Sequence, residues 1–265
     1  MAAPFESPRQ SPPRIEAHFA KTLLLDRNPP AAVFFIMNAA DDISPSSRNP
    51  PMQKTAAYII EKPTLCLVVG VPASGKTALA RELARVLMNS AYLSKDLIQT
   101  PFTSSERVTG SVYSLVQGPT FQILVDFADI QLGLGKTPII DAPFSINHGR
   151  NDKCRDWVPP FKNAAQKYGA RLAIVRCLPP SEAILKARIE ERLKRNESKW
   201  DGWKLDHWAD FLKSEPLHFP IAHDDVHEFL SDELFENRVE GVLKNYLGAE
   251  AFPPEVKAGG GSGRL

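Results

Sequence analysis

Gly70-Val71-Pro72-Ala73-Ser74-Gly75-Lys76-Thr77 decides the fold, because it sets two glycines on either side of four residues and follows them with Lys and Thr. That spacing suits a loop that wraps phosphate oxygens, since glycines let backbone N–H groups approach where a side chain would block them. Lys76 would reach between the β- and γ-phosphates, and the Thr77 hydroxyl would take a position on Mg²⁺. Val71, Pro72, Ala73 and Ser74 complete the loop. Ala78 continues it into the first turn of a helix whose N-terminal dipole favours anions.

Both flanks agree with this reading. Leu65 to Val69 is an unbroken apolar run set between Pro63 and Gly70, as expected of a parallel strand buried on both faces. Thr77 to Met88 has a helical period, with Leu79, Leu83, Val86 and Leu87 on one side and Arg81, Glu82 and Arg85 on the other. Strand, loop and helix in that order predict an α/β protein with a central, mainly parallel sheet that binds ATP or GTP with Mg²⁺.

The composition bounds the partners. At 265 residues and 43% hydrophobic content the chain can bury a large core, and 32 Lys plus Arg against 31 Asp plus Glu leave no global field that would draw a nucleic acid or an anionic membrane. Cys66, Cys154 and Cys177 have unrelated spacings, and Cys66 and Cys177 fall in apolar runs, so reduced core thiols are expected. The histidines are scattered and make no zinc pattern; His223 and His227 have the i, i+4 spacing of a solvated helical pair. Ala31 to Ala40 is apolar but far short of the roughly twenty residues that span a bilayer, which points to a cytoplasmic protein with no membrane partner.

Nine of the 23 prolines lie in residues 1 to 55, which are therefore read as a poorly ordered extension, with Met52 a candidate natural start. Residues 56 to 250 are read as one catalytic domain, with a lid at about 181 to 215, and 251 to 265 as a flexible, glycine-rich tail. Ser90 to Asp96 is expected to be a second strand ending in an acid, with a break at Pro101. Strand ends of this kind carry ligands, so Asp96 is a candidate to accept the proton of an attacking hydroxyl or to hold Mg²⁺ through water; an Asp that caps the next helix is the structural alternative. A helix over about 112 to 132, restarting near Pro119, leads to Thr137-Pro138-Ile139-Ile140-Asp141, a buried strand with a second acid at its end. Asp141 would bind magnesium or position the acceptor, or else bond loop amides. In the loop that follows, Arg150 is the candidate contact for a phosphate or a charged acceptor.

After a helix near Pro160 to Lys167 and a strand at Arg171 to Leu178, Ser181 is a suitable N-cap for a helix on which Arg188, Arg192 and Arg195 share a face. Those arginines either close on the triphosphate or make a solvated, salt-bridged face with Glu190 and Glu191. Trp200, Trp203, Trp208 and Phe211 read as a lid extension or an acceptor-side wall, whose aromatic rings either pack or stack on a nucleobase or sugar, and residues 226 to 247 as a closing pair of helices.

On these residues the chain resembles the small P-loop kinases of the zeta-toxin and polynucleotide kinase type, which are often labelled AAA-family ATPases. The resemblance covers about 63 to 230 and rests on the loop at 70 to 77, Ser94-Lys95-Asp96, Ile139 to Phe144, Arg150, and Arg188-Ile189-Glu190-Glu191-Arg192. It implies a P-loop NTPase three-layer sandwich with an arginine-bearing helical lid. It also implies transfer of the γ-phosphoryl group of ATP to a hydroxyl of a small molecule or nucleotide. Asp96 would be the base, Lys76 and Thr77 would lie on phosphate and Mg²⁺, and Arg188 or Arg192 would be the lid arginine. No second phosphatase domain and no long helical acceptor region are recognisable. An ATPase switch that acts through a protein partner, and a nucleic-acid 5'-end kinase, are the alternatives.

Overall fold

A computed structural model describes residues 57–103, 110–144, 157–198 and 200–252, all within one compact unit. The expected extension before residue 57, the end of the tail, Cys154 and Arg150 lie outside the described residues.

Two short strands, β1 (Tyr58–Ile59) and, at the far end of the chain, Glu250–Ala251, pair antiparallel. Ala251, which the sequence reading placed in the tail, is thus paired with Tyr58. The apolar run forms β2 (Thr64–Val69), buried along its whole length, and leads through the loop into α1 (Lys76–Val86). β3 (Ser90–Ser94) ends two residues earlier than its pattern suggests, and Asp96 already belongs to α2 (Lys95–Thr103). Pro101 sits inside α2, where the bond it cannot make would go to the carbonyl of Leu97, a residue 57% exposed with water at hand.

α3 (Gly110–Gly133) runs through Pro119 as one helix and precedes β4 (Thr137–Asp141). α4 (Val158–Lys167) and β5 (Arg171–Leu178) follow. The segment expected to act as a lid consists of α5 (Glu182–Lys194), α6 (Asp201–Asp206) and α7 (Trp208–Ser214). The Ser181 hydroxyl accepts from the Ile184 N–H at 3.2 Å, the N-cap bond that its position foretells.

The expected closing helix pair is half right. Residues Val226–Leu230 form a fifth strand, β6, and only then come α8 (Phe235–Gly241) and a π-helical turn at Val242–Tyr246. An edge strand needs no unbroken apolar run, and within β6 only Phe229 is buried, so helix and strand periods cannot be told apart there. His223 and His227 consequently share no helix: His223 Nε2 meets the Leu172 carbonyl at 2.8 Å, and the His227 ring stacks on Tyr246.

The five strands pair in parallel in the order β3-β4-β2-β5-β6. From β2 the chain steps out to β3, returns to β4, and crosses to β5, so its direction reverses at β2, whose carboxyl end carries the loop. Successive residues of β2 face opposite layers. Cys66 and Val68 pack with α1, α8 and the π-helical turn, and Leu65, Leu67 and Val69 pack with α3 and α4. This is the three-layer α/β sandwich of P-loop NTPases. Burial pushes the Cys66 thiol up to about 12 and the Cys177 thiol up as well, which keeps both protonated and inert. Among the described residues no helix is long and apolar enough to cross a membrane.

The last turn is fastened to the sheet by Tyr246. Its hydroxyl accepts from the Ile174 N–H at 2.9 Å and lies 2.8 Å from the Asp225 carbonyl, while Arg171 donates to the Tyr246 carbonyl at 2.5 Å and to Asp225 Oδ2 at 2.7 Å. Tyr246→Phe takes this partner from the Ile174 N–H of β5 and from the Asp225 carbonyl just before β6, which costs about 1–3 kcal/mol. A fall in Tm of several degrees is expected, measured by thermal unfolding.

Candidate active site

The loop is built by its backbone. Gly70 has φ 149° and Gly75 φ 96°, conformations that side-chain-bearing residues seldom adopt. Space is equally restricted: a Cβ on Gly70 would lie 2.5 Å from Ser74 Oγ and 2.7 Å from the Cys177 carbonyl oxygen, and one on Gly75 would lie 2.8 Å from Ser231 Cβ. Ala73, at φ 62°, holds a left-handed turn without glycine's freedom, a strain of the sort found at ligand clamps. Gly75 offers no side-chain cap to α1, so the first N–H groups of that helix are left for an anion.

Lys76 is buried at the start of α1, and Thr77 turns toward β4. Because β4 pairs directly with β2, the end of β4 stands beside the loop, and Thr77 Oγ1 donates to Asp141 Oδ2 at 2.7 Å. The Tyr92 hydroxyl, one strand further out, reaches the same oxygen at 3.4 Å. Burial raises the Tyr92 phenol, and the Asp141 charge adds to the effect, so Tyr92 serves as a donor. Asp141 is 1% exposed, and its Oδ1 has no hydrogen-bond partner among the described residues. A buried carboxylate oxygen in that state is an acceptor that a water or a cation would satisfy. A hydroxyl and a carboxylate side by side are the hard oxygen donors that Mg²⁺ takes.

Asp96 stands in the first turn of α2, exposed, with its N–H on Ser94 Oγ at 3.3 Å. Ser94 pairs with Asp141 in the sheet register, which sets the two carboxylates at neighbouring strand ends on the loop side. Lys95 between them is buried, and burial lowers its ammonium, opposed by Asp96 and by Glu215 at the end of the lid.

Arg188 and Arg192 of α5 and Arg195 at its C-cap part company. Arg188 turns to the loop, where Nη1 donates to Ser231 Oγ at 2.8 Å and to the Ala73 carbonyl at 3.4 Å, and Nη2 donates to the Ser231 carbonyl at 2.5 Å. Burial lowers the Arg188 guanidinium, which nonetheless stays charged. Arg192 lies 3.2 Å from fully buried Asp201, which also accepts from Lys204 at 2.6 Å. Arg195 pairs with Glu191 and Glu197 on the surface. Of the aromatic residues, Phe211 is buried with Leu185 and Ile189, Trp208 leans on it and donates to Glu182, and Trp203 stacks on His207.

Gly70 to Ala78, Asp141 and Arg188 thus meet at the carboxyl ends of the strands, with Asp96 on the rim and Arg192 inside the lid. Tyr92 and Ser231 belong to the site without having been foreseen. Tyr92 shares a strand face with Ser94, a signal too general to single it out, and Ser231 follows a strand whose pattern reads as helix.

The profile of a family described as an AAA domain matches residues 65–214. Among solved structures, a candidate kinase from Chloroflexus aurantiacus J-10-fl superposes with a TM-score of 0.55 at 20% identity, covering 70% of this chain and 98% of its own. A gluconokinase from Sinorhizobium meliloti 1021 (TM-score 0.44, 12% identity, 71% and 95% covered) and a sugar kinase from Janibacter sp. HTCC2649 (0.43, 16%, 71% and 95%) are also similar. The first of these likenesses bears on the fold alone. A search of curated proteins gave no match.

Gly75→Ala drives a methyl into Ser231 at a backbone angle that alanine resists. Affinity for ATP, measured by calorimetry, should fall by at least tenfold while the far-ultraviolet dichroism of the sheet and helices is kept; unchanged affinity would contradict the packing described for the loop.

Proposed function

We propose, from the premise that this chain belongs to the AAA domain family, that it is an ATP-dependent phosphotransferase that moves the γ-phosphoryl group to a hydroxyl of a small molecule or nucleotide. The observation that carries this reading is the contact of Thr77 with Asp141, whose second oxygen is buried beside the loop without a partner among the described residues. Gly70 to Ala78 would cradle the phosphates of ATP or GTP through backbone N–H groups, with Lys76 as a point charge among their oxygens. Thr77 and Asp141 would hold Mg²⁺, which when bound neutralises charge on the β- and γ-phosphates. Tyr92 keeps the Asp141 carboxylate turned toward Thr77.

Asp96 supplies the base. Its carboxylate takes the proton of the acceptor hydroxyl as that oxygen bonds to the γ-phosphorus and the bond to the β-phosphate oxygen breaks, giving phosphorylated acceptor and the nucleoside diphosphate. An exposed acid in the first turn of a helix is open to an incoming acceptor, as this role requires. Of the two lid arginines, the reading favours Arg188 for the transferring phosphoryl group, since its guanidinium already touches the loop, whereas Arg192 neutralises buried Asp201. Arg150 stays a proposed acceptor contact.

The test is a panel of hydroxyl compounds incubated with γ-labelled ATP. Lys76→Ala should abolish transfer to whichever compound accepts label. Asp96→Asn should slow transfer by roughly 10²–10⁴ with ATP affinity retained. Full transfer by Asp96→Asn would remove Asp96 from the role of base. Arg188→Ala should lower the transfer rate far more than Arg192→Ala does, and Arg192→Ala should act chiefly on thermal stability, by leaving Asp201 with one partner fewer.

A further inference from the structure

Ser231 lies just beyond β6, on a loop that no motif in the sequence marks. The structure pins it from two directions. Its N–H donates to the Leu178 carbonyl at 2.9 Å and its hydroxyl to the same oxygen at 3.1 Å, which ties it to the end of β5. Its Cβ occupies the space that Gly75 leaves open, so it also rests on the phosphate loop. Onto this fixed residue Arg188 lays one end of its guanidinium, with Nη1 on Ser231 Oγ at 2.8 Å and Nη2 on the Ser231 carbonyl at 2.5 Å; the other Nη1 hydrogen goes to the Ala73 carbonyl at 3.4 Å.

The donor inventory of arginine then becomes informative. A guanidinium has five N–H groups in one plane, and three are used here. The two that have no partner among the described residues, on Nε and Nη2, lie along a single edge, and that edge has the fork geometry that matches two oxygens of a phosphate. Ser231 therefore does more than hold Arg188 near the loop: it fills the terminal pair of donors and leaves the side pair for a ligand.

We infer that Ser231 is a positioning residue that sets Arg188, before any nucleotide arrives, to grip the γ-phosphoryl group with its Nε–Nη2 edge. This rests on the phosphotransferase reading above and adds to it the means by which the lid arginine is aimed. An arginine already fixed in its binding rotamer has little side-chain freedom to lose on contact with the phosphate. The contact belongs to the γ-phosphoryl group, so it distinguishes ATP from ADP.

The test uses the full chain and calorimetric titration of ATP and ADP with Mg²⁺ for the wild type, Ser231→Ala, Arg188→Ala and the double variant. Ser231→Ala should weaken ATP by roughly tenfold, the worth of one charge-assisted hydrogen bond, and leave ADP within about twofold. In the Arg188→Ala background the same change should have no further effect, because a residue that acts through Arg188 has nothing left to act on. Equal losses for ATP and ADP, additive losses in the double variant, or no loss at all would each overturn the inference while the phosphotransferase reading stands. A wild type that binds neither nucleotide would overturn both. Should Ser231→Ala fail to fold, the wild type decides by NMR. The Arg188 Nε–H resonance, identified by its loss in Arg188→Lys, should be a single sharp line without nucleotide and shift with ATP but not with ADP; a broad or averaged line without nucleotide, or equal shifts with both, would refute a preset guanidinium.

Discussion

The backbone between Gly70 and Gly75 can close into a phosphate cradle only because two absent side chains let other parts of the molecule press against it. Cys177 at the end of β5 comes so near Gly70, and Ser231 beyond β6 so near Gly75, that a Cβ at either place would displace them. The cradle is in this way held between the ends of β2, β5 and β6. Side chains buried on both faces of β2 and β5, and Phe229 on one face of β6, keep these strands parallel and in register. The hydrophobic layers and the phosphate loop are parts of one construction: packing fixes the strand ends, and the strand ends fix the loop.

From that arrangement the polar side chains take their places with little freedom. Since no strand comes between β2 and β4, the acid that ends β4 faces the hydroxyl that opens α1. A carboxylate as deeply buried as Asp141 would be costly without donors, and Thr77 and Tyr92 supply them to one oxygen only. Among the described residues the two oxygens are thus unevenly satisfied, and the second is left as a buried acceptor beside the loop.

The α5 to α7 segment obeys a different physics. Its own small core of Leu185, Ile189 and Phe211 reaches Val71 in the loop, and its charges are matched internally, Asp201 lying between Arg192 and Lys204. A buried ion pair of this kind contributes less to net stability than to the choice of one arrangement, because either partner alone would be left uncompensated. Arg188 is the exception on its helix. Its acceptors are a loop carbonyl and Ser231, so this side chain adds polar contacts to the apolar one that Val71 makes with α5 and α7.

Periodicity alone places β2, α1, β4, β5 and α5 within a residue or two, since each is either an unbroken apolar run or a helix with a distinct buried stripe. The loop at 70 to 77 is legible for the same reason that it works: its geometry needs glycine at two fixed points, and glycine leaves a mark in a sequence. What the chain order does not reveal is adjacency. Arg188, Arg192 and Arg195 have equivalent spacing on one helix, yet only the packing of α5 against the loop and α6 turns the first to Ser231, the second to Asp201 and the third to the surface. The edge strand β6, half exposed and without an apolar run, reads like a helix until its backbone pairs with β5, and Ser231 becomes visible as part of the site only after that pairing is made. The sequence by itself determined four of the five strands, the phosphate loop and the acid that ends β4, because those depend on local backbone and burial rules. The tertiary structure decided which arginine meets the loop and what holds it there, because those contacts join residues 43 and 115 positions apart.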